Sequence, residues 1–285
     1  MASIPDSKAQ LSNRPSDHES FLVHRGFRWA KISGAACLVA IVGYAFADVE
    51  PRPNGGSWYG YILGTVGALL IVWLALLGIR KRAMTEGSWS LKAWTSAHVY
   101  LGLSLIVIAT LHTGFQLGWN VHTLAYALMM LVILSGIYGV IVYASLPAAL
   151  SNNRKETTKK EMVAALEAID RQLETAAQPL DRAESDLVIA ALEQDVFATG
   201  AWRRLTGNYR NCMTRRALLE FSGSGEGLRD RIRSLLKRRQ EQLGQIRRHM
   251  RIRALLEIWL YVHIPLTIAL LGALTAHIVS VFYYW

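Results

Sequence analysis

Charge and hydrophobicity are segregated along this chain, and that separation limits the available folds more than any other feature. No Lys, Arg, Asp or Glu occurs between Lys92 and Arg154, and another uncharged stretch runs from Pro53 to Ile79. Most of the charge falls in one block between residues 150 and 253. A soluble basic protein interleaves the two residue classes on amphipathic elements; a chain that separates them alternates membrane spans with polar segments. Crossing the hydrocarbon core takes about 20 apolar residues. Five runs qualify: Trp29–Ala47, Trp58–Ile79, Trp94–Leu117, Val121–Ser145 and Leu255–Tyr284. Backbone amides in lipid must be satisfied within each segment, so the expected fold is all-α, a polytopic membrane helical bundle of five transmembrane helices. Trp58, Trp94, Trp119, Trp259 and Trp285 fall near proposed span ends, as an aromatic belt requires. The fifth run is the longest and is expected to tilt or to project from the bilayer.

The cations between the spans set a direction. Arg25, Arg28 and Lys31 flank span one, Arg80, Lys81, Arg82 and Lys92 follow span two, and Arg247, Arg248, Arg251 and Arg253 precede span five. The opposite loops hold only Arg52. The positive-inside rule then puts the N-terminus and residues 146–253 in the cytoplasm and the C-terminus outside, with spans three and five parallel. The expected organisation is a cytoplasmic segment 1–28, spans one to four in 29–145, a helical basic cytoplasmic insert 146–253, and span five in 254–285. The expected location is the bacterial inner membrane, with lipid as the surrounding partner. The formal charge of +10 is accounted for by these flanks, and no nucleic-acid motif accompanies it, so nucleic acid is excluded as a partner. Residues 1–28 are polar and do not read as a cleavable signal peptide. Cys37 lies in an apolar run and Cys212 in the polar block, so no disulfide is expected between them.

In the insert, Met162, Leu166, Ile169 and Leu173 form one helical seam, which reads as helices packing on one another or as a docking face for a partner protein. Pro179 ends that helix, and Asp181 with Glu184 resembles a capping box for a helix through about Ala198. Ser222–Gly227 reads as a flexible turn; from Leu228 a basic helix is expected to run on into span five.

Ionisable side chains inside spans are expensive, and mark a site by default. Span three holds His98 and His112, and span five holds His263 and His277, each pair 14 residues apart. Fourteen residues rise about 21 Å and return to within about 40° of the starting face. Each helix thus shows two imidazoles on one face, at two depths. With the helices parallel, His98 lies level with His263 towards the cytoplasm, and His112 with His277 towards the exterior. Two facing pairs of neutral imidazoles suit two six-coordinate haem irons. No C-x-x-C-H occurs, so the haem would be held non-covalently, as haem b. Gly102, Gly114 and Gly272 lie near these histidines and are candidates for making room for a porphyrin, or for ordinary close helix packing. Pro265 is expected to bend span five. Ser104, Thr110, Thr267 and Ser280 either orient imidazoles or satisfy backbone carbonyls. His122 reads as an interfacial residue or a quinone contact. His18, His24 and His249 read as surface residues.

The scaffold His98-x13-His112 with His263-x13-His277 resembles the membrane di-haem cytochromes b, in which two parallel helices of a four-helix bundle each donate two histidines at this spacing. The resemblance covers about residues 94–283. It also extends to the membrane domain of ferric reductases and NADPH oxidases, whose third and fifth helices carry the haem histidines. This sequence departs from both patterns. It has no Pro-Glu-Trp-Tyr quinol-site motif, no sixth span, no G-x-G-x-x-G and no flavin or nicotinamide domain. The resemblance implies an electron-transfer subunit of an oxidoreductase rather than an enzyme alone. It would connect the quinone pool with an iron–sulfur, flavin or c-type haem protein of the same complex. The alternatives are a ferric-reductase-type transmembrane reductase and a haem-free membrane anchor or scaffold.

Overall fold

The computed structural model describes residues 21–50, 54–83, 90–144, 155–195, 200–207, 209, 212–223 and 227–283. The polar segment 1–20 with His18, Arg52, the centre of the Ser222–Gly227 turn and Trp285 lie outside them. The described residues form a short 3-10 turn, Phe21–Val23, and then helices only. In chain order these are α1 (His24–Phe46), α2 (Trp58–Ala83), α3 (Leu91–Thr113), α4 (Val121–Ala144), α5 (Lys155–Ala177), α6 (Arg182–Glu193), α7 (Ala201–Thr206), α8 (Met213–Glu220) and α9 (Leu228–Tyr283). Helices α1 to α4 and α9 are long and apolar enough to cross a membrane, so the chain is an all-α polytopic bundle with five candidate spans. It divides into two compact units, Met1–Gly136 with His263–Trp285, and Ile137–Val262.

In the first unit, α1 and α2 both pack on α3. Ser90 caps α3 through a hydrogen bond that its Oγ accepts from the Ala93 amide at 3.2 Å. The helix stops at Thr113, four residues short of the sequence expectation. Gly114 takes the left-handed conformation (φ 56°) and donates its N–H to the Leu111 carbonyl at 3.1 Å, and Phe115 (φ 61°) follows in the same region. Helix α9 runs on through Pro265, whose missing N–H frees one carbonyl of the preceding turn. Tyr59 donates its hydroxyl to the Ala40 carbonyl and Ser33 donates to the Tyr100 carbonyl, both at 2.7 Å, tying α1 to α2 and to α3. One buried cluster joins Ala40, Leu63, Ile108 and Leu111; another joins Leu74, Leu105, Met129, Ile133 and Leu270. The outward faces are apolar as well: Val39 is 72% exposed, Phe46 84%, Leu69 66% and Ile268 65%. Apolar surface this continuous is not tolerated in water, so lipid covers it and the protein is an integral membrane protein.

The second unit is built from amphipathic helices. The α5 seam faces inward: Leu166, Ile169 and Leu173 are buried in clusters shared with Ile232, Leu236, Leu243 and Ile246 of α9. The seam therefore serves helix packing. Asp181 caps α6 by accepting the Glu184 amide at 2.8 Å. That helix ends at Glu193 rather than near Ala198, and Gln194 turns its side chain to accept the Met213 amide at 2.9 Å. His249 is half-buried rather than a surface residue. Both cysteines are free.

A buried Arg239 clamps three of these helices. It is 1% exposed, donates to both carboxylate oxygens of Asp170 (2.7 and 3.2 Å) and also donates to Thr214 Oγ1. Removing one partner of a buried pair strands the other, at a cost of about 3 kcal/mol. Arg239→Ala should lower the urea midpoint of this unit's protease resistance in the detergent-solubilised protein; an unchanged midpoint would show that water replaces the guanidinium without loss.

Candidate functional site

Both α3 histidines turn to α2. His98 Nδ1 lies 3.1 Å from the Leu74 carbonyl oxygen, and His112 Nδ1 lies 2.8 Å from that of Gly60. A carbonyl only accepts, so each Nδ1 carries the proton and each Nε2 keeps its lone pair. Gly60 and Leu74 are themselves 14 residues apart on a helix that runs antiparallel to α3. A single register between α2 and α3 therefore places an acceptor at the depth of each histidine.

Both α9 histidines turn to α4. His263 Nδ1 lies 2.7 Å from Ser135 Oγ. Ser135 gives its own hydroxyl proton to the Val132 carbonyl at 2.8 Å, so towards the imidazole it is an acceptor. His263 is therefore also protonated on Nδ1. At the other depth, His277 Nδ1 is hydrogen-bonded to His122 Nδ1, with ring centroids 4.5 Å apart and planes at 88°.

The four histidines meet in the pairs expected from matched depth. His112 and His277 have ring centroids 6.0 Å apart, with planes at 89°. His98 and His263 are near enough to interact electrostatically, as are His112, His122 and His277 with one another. Leu105 and Leu270 sit seven residues beyond His98 and His263, midway to His112 and His277. Each is 3% exposed, and both belong to one cluster. Seven residues rise about 10 Å, so a dry leucine layer lies between two imidazole layers.

The three glycines named from the sequence do not touch the rings. A Cβ on Gly102 would meet Leu74 Cδ1 at an ordinary 3.9 Å, a Cβ on Gly272 would meet nothing within 4 Å, and Gly114 is the left-handed stop of α3. The ring contacts fall on glycines of other elements. A Cβ on Gly64 of α2 would stand 2.7 Å from His112 Cε1 and 2.9 Å from its Nδ1. One on Gly55 would be 3.5 Å from His112 Cε1, and one on Gly136 of α4 3.7 Å from His263 Cε1. The signal available in the sequence was Gly60 with Gly64, one turn apart on the neighbouring span. The hydroxyls of Ser104, Thr110, Thr267 and Ser280 each donate to a carbonyl of their own helix, Leu101, Ile106, His263 and His277 respectively. Ser135 and His122, by contrast, bond the rings themselves.

No family model, curated protein or solved structure matches this chain.

Proposed function

We propose that this chain is a di-haem b-type cytochrome, the electron-transfer subunit of an oxidoreductase that moves electrons across the bilayer between quinone and a partner redox protein. One observation carries the reading. Two levels of paired membrane imidazoles have their Nδ1 atoms engaged by neighbouring helices, which is how metal-ligating histidines are ordinarily held with Nε2 as donor. The spacing suits the cofactor as well. Two imidazoles on opposite sides of one iron put their ring centres about 6 Å apart, from metal–nitrogen bonds of about 2 Å and about 1 Å more to each ring centre. His112 and His277 stand at 6.0 Å.

In this reading His98 and His263 hold one haem, and His112 and His277 the other. Bound haem supplies a one-electron Fe(III)/Fe(II) couple. The protein does the rest. The Leu74 and Gly60 carbonyls and Ser135 fix the orientation and tautomer of three of the rings, and Gly64 lets α2 approach His112. The Leu105–Leu270 layer keeps water from the path between the two levels. The positive-inside assignment puts the His98–His263 level towards the cytoplasm of a bacterial inner membrane. The second unit, rich in arginine, then offers the contact surface for an iron–sulfur, flavin or c-type haem subunit.

The test is the pyridine haemochrome of the purified protein with protein quantitation, read beside its optical spectrum. Two haems b per chain, low-spin in both oxidation states, is the expected result. A ratio near one would remove one of the two pairs. A protein purified from haem-replete cells without Soret absorbance would leave a membrane anchor or scaffold as the function.

A further inference from the structure

Three of the four membrane histidines bond an acceptor whose identity leaves no choice of tautomer, and the fourth bonds another histidine. Helix α2 supplies both acceptors to α3, the Leu74 and Gly60 carbonyls, and helix α4 supplies both partners to α9, Ser135 and His122. His122 thus occupies for His277 the place that Ser135 occupies for His263. Its ring is perpendicular to that of His277, with centroids 4.5 Å apart. The hydrogen bond joins the two Nδ1 atoms and so holds a single proton. If His122 were the donor, His277 would carry its own proton on Nε2 and have no lone pair there to give a metal. If His277 is the donor, all four rings share one tautomer.

We infer that His122 is a positioning residue. It accepts the Nδ1–H of His277 through its own Nδ1, fixing that ring with Nε2 as the donor atom and making it more basic, and is not itself a ligand. This rests on the haem reading and adds an assignment that the four-histidine spacing does not contain. A hydrogen bond to the far nitrogen of a ligating imidazole raises its basicity and favours the oxidised metal. Losing the bond should therefore raise the midpoint potential of the haem held by His112 and His277 and leave the other unchanged.

The experiment is a redox titration with EPR of the purified wild type and of His122→Ala, His122→Asn and His122→Gln. Asn places an amide oxygen close to the position of the histidine Nδ1, whereas Gln carries it one carbon further out. The expected result is that Ala and Gln shift one component upward and change its EPR signal, with roughly tenfold weaker haem retention at that level. Asn should keep the wild-type potential and signal. Wild-type potentials in the Ala or Gln variant overturn the inference while leaving the two-haem reading intact. Loss of one haem in all three variants makes His122 a ligand and overturns it too, as does a joint shift of both components. Should the Ala variant fail to accumulate, Asn against Gln still decides. A wild type without haem overturns the inference together with the reading it rests on, and is recognised before any variant is made.

Discussion

His98→Ala and His263→Ala should each remove the same haem, and His112→Ala and His277→Ala should each remove the other. The haem-to-protein ratio falls from two to about one in all four variants, and a redox titration shows which component has gone. The reason is ligand count. A low-spin b-type iron needs both imidazoles, and one ring alone leaves it five-coordinate and poorly held. The pairing follows from geometry. His112 and His277 face each other at 6.0 Å, His98 and His263 interact at the other depth, and Leu105 and Leu270 separate the two levels. The effect is all-or-none per site, larger than any change in the surrounding hydrogen bonds, for which roughly 10- to 100-fold in metal affinity is usual. Loss of one component in both His98→Ala and His112→Ala, with the other intact, would mean that the helices are not in register by depth.

The fold was legible wherever lipid imposes it. A segment in hydrocarbon must be apolar for its whole length and must satisfy its own backbone, so composition alone located α1 to α4 and the apolar part of α9. Boundaries were less legible. The end of α3 depends on the left-handed backbone at Gly114 and Phe115, and hydropathy continues through it to Leu117. In the second unit, the inward seam of α5 and the Asp181 cap were readable because each is a local pattern. Arg239 was not, since a buried arginine looks like a solvated one until Asp170 and Thr214 are brought to it from elsewhere in the chain.

The candidate site divides along the same line. Spacing within one helix is periodic, so His98 with His112 and His263 with His277 could be set on common faces from the sequence. What holds the rings comes from the neighbouring helices. The Gly60 and Leu74 carbonyls are backbone atoms that no side-chain pattern marks. Ser135 is one serine among several in the spans, and only the register of α4 against α9 distinguishes it from Thr267 or Ser280. His122 was read as interfacial because it opens α4, and its bond to His277 needs three-dimensional placement. The glycine expectation missed for the same reason. Room for a ring is made on the helix opposite, not on the helix that carries it.

Gly64→Val should remove the component that His112→Ala removes. Even the first carbon of the new side chain would stand 2.7 Å from His112 Cε1, 2.9 Å from Nδ1 and 3.2 Å from Nε2. Those distances are closer than real contacts allow, so the ring or the helix has to move. The ring is not free to swing away, because its Nδ1–H is tied to the Gly60 carbonyl one turn along the same helix, at 2.8 Å. Either response spoils the alignment of Nε2. Overpacking of this kind costs about 2 kcal/mol, roughly thirtyfold in site occupancy, before the poorer ligand geometry is counted. Valine is the variant to make. Alanine would regain up to about 1 kcal/mol of helix propensity and blur the outcome. Two controls lie on the same helix. A Cβ on Gly67 would meet Ile108 at 3.8 Å, an ordinary contact, and one on Gly78 would meet nothing within 4 Å. Gly67→Ala and Gly78→Ala should keep both haems at wild-type potentials. If Gly64→Val keeps them as well, α2 does not press on the His112 ring, and the role assigned to Gly64 fails even with the four ligands in place.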